Sequence, residues 1–529
     1  MLNNQQRATV TILETSDIHG TVFPINYGNN NEAEVGIAKI STLIAKERAK
    51  GDAVIVIDNG DLIQGTPLTY HYAKYLQHEK NPMSLILQQI GYDAAVIGNH
   101  EFNYGMTVLN KAIDEAQVPY LSANILNKQT NEPYFGTPFM MKTTEQGIRV
   151  AILGVTTHYI PNWENPSHIE ELAFEDTLAT TKKWVQYIRD NEKPDVLIVS
   201  YHGGFERDLE TGEPTEPLTG ENQGYAMCQE IEGIDILLTG HQHRSLADLK
   251  VNGVTIVQPG CNGQALGKVH IALVHDGERW HIEECHSELL SVEGVQADEA
   301  VLALAAMYEK ETQEWLDQPI GKIEGDMLVQ DPLQTRLQDN ALIEFINKVQ
   351  MDVADVSIAN TALFNNEAPG FKPNITMRDI VSNYIYPNTL KVIRVTGQDI
   401  KDALEQSAEY FTLNDKGNIT VSPAFLEPKP QHYNYDMWEG IEYILNISKP
   451  VGERVVSLQY SGNPIRLDEE FDVVMNNYRA GGGGNYMMYQ NKPVIKEIPM
   501  DMSELLTSYI LERGTIEATV NHNWKVITE

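Results

Sequence analysis

The sequence predicts an α/β fold arranged in two domains, on three observations. The chain has 529 residues, which is more than one ordinary hydrophobic core holds. Short β-rich apolar runs alternate with helical patterns over roughly the first half. A long amphipathic segment near residue 300 is followed by a different pattern. Together these features predict two domains joined by a helix.

The first domain is predicted from seven apolar runs that each lead into a polar or glycine-rich turn. They are TVTILETSD, DAVIVIDNGD, AAVIGNHE, VAILGVTT, DVLIVSYHG, DILLTGHQH and TIVQPG. Segments between them, such as IAKISTLIAKERAK and PMSLILQQIG, are apolar at i, i+3 and i+4, as amphipathic helices are. In such α/β sheets ligands bind beyond the carboxyl ends of the strands.

The second domain begins after ADEAVLALAAMYEKETQEWL (297–316), which contains no glycine or proline and predicts one long helix. ANTALF, IVSNYIY, LKVIRVTG and DIKDALEQSAEYF then start a new pattern. We therefore predict a first domain at 1–297, a linker helix at 298–320 and a second domain at 321–529.

Charge and cysteine content restrict the partners and the compartment. The net charge is −35, from 74 acidic and 39 basic residues, and such a field repels nucleic-acid polymers and anionic membranes. A small anion can still bind where metal ions or local cations reverse the sign. Three cysteines without CxxC spacing indicate a reducing compartment. MLNNQQRATVTILETSD lacks the apolar region of a signal peptide, so a cytoplasmic location is expected, with the oligomeric state left open.

Polar side chains follow five of the predicted strands. They are Asp17 and His19, then Asp58, Asn59 and Asp61, then Asn99, His100 and Glu101, then His202, and finally His241 and His243. Any one of these stretches alone is best explained as a polar turn after a buried strand. All five together, at one edge of one parallel sheet, predict a metal centre. Side chains two apart, as in D-x-H and H-x-H, could both face one ion from extended backbone.

The number of candidate ligands predicts two metal ions. Seven side chains are available, more than one catalytic ion with an open position can use: Asp17, His19, Asp61, Asn99, His202, His241 and His243. Asp61 is the expected bridge, because a carboxylate offers one oxygen to each ion. Mixed nitrogen and oxygen ligands suit Mn, Zn, Fe or Co equally. Such a pair would attract a phosphoryl group and acidify a water molecule.

The same residues resemble the signature of calcineurin-like metallophosphoesterases: D-x-H, GD, GNHE, a lone histidine and GH-x-H in this order. YIYPNTL (384–390), YNYDMWEGIEY (433–443), NNYRAGGGG (476–484) and the terminal NW (523–524) resemble the 5′-nucleotidase family. The closest resemblance is to its 2′,3′-cyclic-nucleotide 2′-phosphodiesterase/3′-nucleotidase branch. It implies a four-layer αββα metallophosphoesterase domain, a connecting helix and an α+β domain that binds nucleotide.

The resemblance also implies roles for the residues around GNHE. His100 matches the family's catalytic histidine, which donates to the phosphoryl oxygens. Glu101 is expected to contact and orient the ligands without binding a metal ion itself. Many 5′-nucleotidases place an aspartate three residues after the histidine, whereas this chain has Asn103. An amide can orient an imidazole but cannot stabilise its cation by charge. Asn103 therefore favours the cyclic-phosphodiesterase branch.

In the second domain the resemblance implies that Tyr478 and one tyrosine of YNYD, Tyr433 before Tyr435, hold the base between them. The neighbouring Asn477 and Arg479 are included in the predicted substrate site. The alternative is that these aromatics belong to the core. Several 5′-nucleotidases clamp the phosphate with an arginine in a glycine-rich turn, and the corresponding ANTALFNNEAPG has none.

The expected function is therefore hydrolysis of small nucleotides, with 2′,3′-cyclic and 3′-nucleotides preferred. The alternative within this class is a 5′-nucleotidase acting on nucleoside 5′-monophosphates or UDP-sugars. The sequence is also compatible with a catalytically idle nucleotide- or metal-binding sensor and with a hydrolase of non-nucleotide esters. The base-stacking domain would be superfluous in such a hydrolase.

Overall fold

A computed structural model describes residues 6–216, 218–386, 388–427, 429–498 and 500–528. The chain forms two compact units. The first ends at Thr312, and the second runs from Gln313 onward and includes Tyr27–Asn29. The helix Glu299–Leu316 contains the division between them. In the described ranges, no helix combines the length and the apolar character that crossing a bilayer requires.

The first unit contains two six-stranded sheets. In spatial order, the first sheet consists of Trp280–Ser291, Ala265–His275, Gln6–Thr15, Ala53–Asp58, Ala94–Val96 and Tyr120–Leu121. The second consists of Ser245–Val251, Val254–Pro259, Ile236–Thr239, Val196–His202, Arg149–Thr156 and Phe139–Thr143. Four neighbouring strands in each sheet are parallel, so their carboxyl ends lie at one edge. All seven predicted strands are present.

The strands are continuously apolar because both of their faces are buried. Ile12 and Ile198, from the two different sheets, belong to one shared core between the sheets. Leu197 and Val199, on the other face of strand Val196–His202, pack with Val185 and Cys228 from the helices that cover the second sheet. A strand covered on both sides reads as a run of Val, Ile and Leu, without alternation.

Helices cover the outer faces of these sheets, as the four-layer prediction requires. The helix Ile37–Arg48 packs on strands of the first sheet. The first unit contains the α-helices Ile37–Arg48, Pro67–Tyr75, Pro82–Ile90, Gly105–Ala116, Thr177–Tyr187 and Gly224–Glu230. Its small strand pairs are Ile25–Asn26 with Asn31–Glu32, and Ile125–Asn127 with Leu172–Phe174. Short 3₁₀ turns occur at His100–Phe102, Ile160–Asn162 and Pro166–His168.

The second unit is built on a five-stranded mixed sheet with the order Asp436–Glu439, Ile358–Ala362, Glu470–Asn476, Leu390–Thr396 and Val494–Ile498. A four-stranded sheet contains Asn463–Pro464, Val455–Tyr460, Glu442–Asn446 and Trp524–Ile527, and a three-stranded sheet contains Asn374–Thr376, Pro319–Glu324 and Thr515–Glu517. Met327–Leu328 pairs with Gly370–Phe371, and Phe411–Leu413 with Ile419–Val421. The α-helices are Pro332–Thr335, Ala341–Ala354, Met377–Asn383, Gly397–Ala408, Asn477–Ala480 and Met502–Arg513.

Candidate dimetal active site

The polar residues that follow the parallel strands of the first unit meet in space. They come from both sheets: Asp17, His19, Asp61 and Asn99 follow strands of the first sheet, whereas His202, His241 and His243 end or follow strands of the second. The expectation that one sheet supplies all of them is wrong. The two sheets pack face to face and present the carboxyl ends of their parallel strands side by side, and this brings the two sets together.

One group of possible ligands consists of Asp17, His19 and His243, which each offer a ligand atom within 4.8 Å of the others. His19 Nε2 and His243 Nε2 lie 3.1 Å apart, and His243 Nε2 lies 3.4 Å from Asp17 Oδ1. The other ring nitrogen of His19, Nδ1, lies 3.0 Å from the carbonyl oxygen of Gln64. That carbonyl fixes the proton on Nδ1, which leaves the Nε2 lone pair available for a metal ion.

A second group consists of Asp61, His202 and His241, again with ligand atoms within 4.8 Å of one another. Asn99 joins it, because its Oδ1 lies 3.1 Å from His202 Nε2 and 2.8 Å from His241 Nδ1. His202 Nδ1 lies 2.7 Å from the carbonyl oxygen of Asn59, which directs Nε2 toward Asp61 and Asn99. All seven residues predicted from the sequence therefore lie in two adjoining donor groups.

The backbone at these ligands is not extended. Asp17, His19, Asp61, His241 and His243 all have φ between 51° and 66°. This left-handed conformation is uncommon for residues other than glycine and clusters at functional sites. The extended geometry expected for D-x-H and H-x-H is therefore wrong. The chain turns sharply after each strand, and the turn directs both side chains of each pair into the centre.

Close packing explains why a glycine, Gly98, precedes the candidate ligand Asn99. A Cβ atom added to Gly98 would lie 2.3 Å from Asp61 Oδ1 and 2.8 Å from Glu101 Oε2. Glu101 accepts hydrogen bonds from the backbone N–H groups of Gly98, Asp61 and Leu62 at 2.6–2.8 Å. It thus orders the turn that carries Asp61. Its carboxylate oxygens bind backbone N–H groups, whereas those of a metal ligand would bind an ion.

The charges in the centre suit a divalent metal ion. Burial opposes ionisation of Asp17, but the hydrogen bond and charge of His243 outweigh it and lower the pKa of Asp17. Burial also opposes ionisation of Asp61, and His202 outweighs it, so the pKa of Asp61 lies well below its usual range. Burial lowers the pKa of His19 to about 3, which keeps its imidazole neutral. Ionised carboxylates, the neutral imidazole of His19 and an amide are donors that fit such ions.

His100 lies beside the first donor group. Its ring centroid is 5.3 Å from that of His19, and its backbone N–H donates to Asp61 Oδ1 at 2.7 Å. Its Nδ1 lies 2.7 Å from Asn103 Oδ1. The short 3₁₀ turn His100–Phe102 produces this contact by bringing residues three apart together.

Two further residues contact the candidate ligand His241 and carry no signal in the sequence motifs. Glu221 Oε1 lies 3.0 Å from His241 Nε2, which orients that ring with Nδ1 toward Asn99. Trp163 stacks on the ring of His241, with centroids 5.4 Å apart and 27° between the planes. Both residues lie on loops, where no hydrophobic period or motif spacing indicates a contact with residue 241.

In the second unit, Tyr433 and Tyr478 lie side by side, with ring centroids 6.4 Å apart and 75° between the planes. Both are half-buried. A Cβ atom added to Gly483 would lie 2.6 Å from the ring of Tyr478, so the glycine run lets this ring rest on the backbone. Asn477, also half-buried, accepts a hydrogen bond from the backbone N–H of Thr389 through its Oδ1.

Tyr435 and Arg479 have no surface to offer a substrate. Tyr435 is fully buried and stacks on Tyr410. Arg479 is 1% exposed and forms a buried ion pair with Asp436, its Nε lying 2.8 Å from Oδ2. The structure contradicts their assignment to the substrate site, because a buried guanidinium requires this charge partner and both side chains form part of the core.

Comparisons with known proteins agree with this architecture. The family model for calcineurin-like phosphoesterases matches residues 10–245, and that for the 5′-nucleotidase C-terminal domain matches residues 319–491. A solved Staphylococcus aureus structure described as a 5′-nucleotidase is 34% identical, covers 99% of this chain and 100% of that one, and has a TM-score of 0.89.

Curated relatives give the same result. The 2′,3′-cyclic-nucleotide 2′-phosphodiesterase/3′-nucleotidase of Salmonella typhimurium is 27% identical over 99% of this chain and 89% of that protein. The trifunctional nucleotide phosphoesterase protein YfkN of Bacillus subtilis is 27% identical over 98% of this chain, which spans only 39% of that longer protein. The resemblance and the two-domain architecture predicted from the motifs are confirmed. The chain belongs to the 5′-nucleotidase family of calcineurin-like metallophosphoesterases.

Proposed function

We propose that the chain is a dimetal-dependent phosphoester hydrolase that acts on nucleotides, with 2′,3′-cyclic and 3′-nucleotides as its preferred substrates. The observation that carries this proposal is the pair of adjoining donor groups, with His100 beside them. Seven side chains with the same chemistry as metal ligands converge there, more than a single ion with an open position can use.

Asp17, His19 and His243 would hold one divalent ion, and His202, His241 and Asn99 the other, with Asp61 between them. Bound divalent ions supply Lewis acidity and a positive field for a phosphoryl group. The donor set is equally suited to Mn, Zn, Fe and Co. The buried carboxylates of Asp17 and Asp61 provide the negative charge that holds the ions.

His100 acts on the substrate. Its Nδ1 contacts Asn103 Oδ1, so Nδ1 carries a proton. In the imidazolium form Nε2 carries a proton as well and donates to the phosphoryl oxygens as charge develops on them. A neutral amide partner leaves less negative charge beside the imidazole than an aspartate would.

Tyr478 binds the base by stacking, and Tyr433, which meets it edge to face, lies beside the base. Their half-buried rings are adjacent, and Tyr386 lies 6.5 Å from Tyr433, so the base would enter an aromatic pocket of the second unit. Stacking discriminates poorly among bases, so several bases should be accepted.

Two features support the preference for cyclic and 3′-nucleotides. Asn103 occupies the position of the aspartate of many 5′-nucleotidases, and the turn at 359–370 contains no arginine to clamp a 5′-phosphate. Relatives with the matching name cover nearly the whole chain. The second candidate is a 5′-nucleotidase, favoured by relatives of that name in Vibrio species over 96% of the chain.

A substrate panel tests the proposal. The metal-stripped chain is assayed with Mn, Zn, Fe or Co against 2′,3′-cyclic AMP, 3′-AMP, 5′-AMP, a UDP-sugar and an aryl phosphate. We expect turnover only with metal present, and higher kcat/KM for the cyclic and 3′ substrates. A strong preference for 5′-AMP or the UDP-sugar would establish the second candidate. Metal and nucleotide binding without turnover of any substrate would indicate an idle sensor.

A further inference from the structure

Asn103 contacts a carboxylate on the side away from His100. Its Nδ2 donates to Glu164 Oε2 at 2.7 Å, while its Oδ1 lies 2.7 Å from His100 Nδ1. The Glu164 side chain is only 6% exposed. A chain of three side chains therefore runs from His100 through the amide of Asn103 to a buried carboxylate, although 61 residues separate Asn103 from Glu164.

The carboxylate determines how the amide is oriented. An ionised carboxylate only accepts hydrogen bonds, so the NH₂ group of Asn103 must face Glu164. The amide oxygen must then face His100, and Nδ1 of the imidazole must be the donor. Without Glu164 the amide could turn over and present its NH₂ group to the ring. The negative charge also polarises the amide, which makes its oxygen a stronger acceptor for the imidazole N–H.

Glu164 is itself held firmly. Its Oε1 accepts from the backbone N–H of Asn165 at 2.7 Å and lies 3.0 Å from His168 Nδ1. The preceding residue, Trp163, stacks on His241. One turn of chain therefore contacts the centre at two points, through the candidate ligand His241 and through the partner of His100.

We propose that Glu164 is a positioning residue that orients the amide of Asn103 and, through that amide, the imidazole of His100. The inference rests on the proposed function, in which His100 donates to the phosphoryl group. It deepens that function by explaining how a chain with Asn103 still keeps the Nδ1–H group of His100 directed at an acceptor, with a negative charge one hydrogen bond farther away.

The first test compares Glu164→Gln, Glu164→Ala and the matched control Glu170→Gln, which removes the same charge from an exposed glutamate on the same loop. Using 3′-AMP and saturating Mn, we expect Glu164→Gln to lower kcat about tenfold with little change in KM, as for loss of a group that orients a catalytic side chain. Glu164→Ala should lose at least as much, and Glu170→Gln should match the wild type. A wild-type kcat in both Glu164 variants would overturn the proposal.

The second test repeats Glu164→Gln in an Asn103→Asp background. There the carboxylate at position 103 contacts His100 directly and would face that of Glu164, so Glu164→Gln should raise kcat. A residue that only supports packing would cost the same in both backgrounds, and equal losses would therefore overturn the proposal.

Two measurements separate failure of this inference from failure of the proposed function. If His100→Ala keeps the wild-type kcat, the role of His100 is wrong. The ring-nitrogen NMR signals of His100, assigned by their absence in His100→Ala, need no turnover. Nδ1 should be protonated in the wild type, and Glu164→Ala should change its signal. Identical His100 signals in wild type and Glu164→Ala would overturn the positioning role even in an inactive chain.

Discussion

Asp61 Oδ2 lies 3.2 Å from His202 Nε2, and both side chains are almost completely buried. Asp61 follows a strand of the first sheet and His202 ends a strand of the second, so this contact joins the residues that the two sheets supply to the centre. Asp61→Asn removes the negative charge that would offset the ions and replaces one of the two oxygens proposed to bridge them. We expect fewer than two Mn ions per chain after dialysis, measured by elemental analysis, and loss of turnover.

Asp58→Asn is the matched control for Asp61→Asn. Asp58 is also buried and lies three residues earlier, but burial raises its pKa to about 8, so it is largely neutral at pH 7 and an amide replaces it closely. The control should keep its metal ions. Retention of two ions and a normal rate in Asp61→Asn would contradict the dinuclear site.

Metal binding should release a proton near neutral pH. Burial acts to lower the pKa of His202, but Asp61 outweighs it and raises the pKa to about 10, so His202 is protonated in the metal-free chain. A metal ion needs the Nε2 lone pair and must displace that proton. Apparent Mn affinity should therefore weaken as the pH falls from 9 to 6. Calorimetric titrations in buffers with different ionisation enthalpies measure the protons released, and a binding heat independent of the buffer would contradict the expectation.

His100→Ala should separate chemistry from metal binding. His100 contacts the centre through its backbone N–H and Asn103 through its ring, and its imidazole is not part of either donor group. We expect kcat to fall by about 10² or more, as for loss of one preorganised donor to the transition state, with the metal content unchanged. Loss of the ions from this variant would instead make His100 a structural ligand.

The candidate ligands could be predicted from sequence because the signal is local. Apolar runs mark the buried strands, and D-x-H, GNHE and GH-x-H follow them directly. The division of the candidate ligands between two sheets and the left-handed backbone at Asp17 could not be predicted, because both depend on how the strands pack. Glu164 lies on a loop 61 residues from its partner Asn103, and Glu221 lies on a loop 20 residues from its partner His241. Arg479, beside a glycine run, and Tyr435, in YNYD, look like binding residues, but tertiary packing buries both.

A pH effect on stability is expected from Glu439 in the second unit. Burial, with Glu344 and Asp339 nearby, raises the pKa of Glu439 to about 7 although Asn521 donates to it. An acid whose pKa is raised by folding stabilises the folded state below its unfolded pKa, and this contribution is lost as the pH rises through about 7. Stability should therefore decrease between roughly pH 4.5 and 7, by at most about 3 kcal/mol from this group.

Glu439→Gln should remove this pH-dependent loss of stability and raise the free energy of unfolding at pH 8 above that of the wild type. Urea unfolding of the full chain in EDTA at pH 5 and pH 8 measures it, with Glu453→Gln as the control at an exposed position. The same pH dependence in wild type and Glu439→Gln would show that Glu439 does not carry the effect.

The base platform is tested with Tyr478→Ala and Gly483→Ala. If Tyr478 stacks on the base, its loss should raise KM for nucleotides by the equivalent of about 1–3 kcal/mol, the worth of one stack. Gly483→Ala keeps the tyrosine but places a Cβ atom 2.6 Å from its ring, which must move. We expect a smaller rise in KM of the same kind.

Hydrolysis of a small aryl phosphate distinguishes stacking from folding in both variants. That substrate uses the donor groups of the first unit and little of the aromatic surface, so its kcat/KM should change much less than that for 3′-AMP. The rise in KM should appear with every base, since an aromatic face discriminates poorly among them. A general defect would lower the rates for nucleotide and aryl phosphate together. Equal losses on the two substrates would assign Tyr478 to the core, where the burial of Tyr435 already places that side chain.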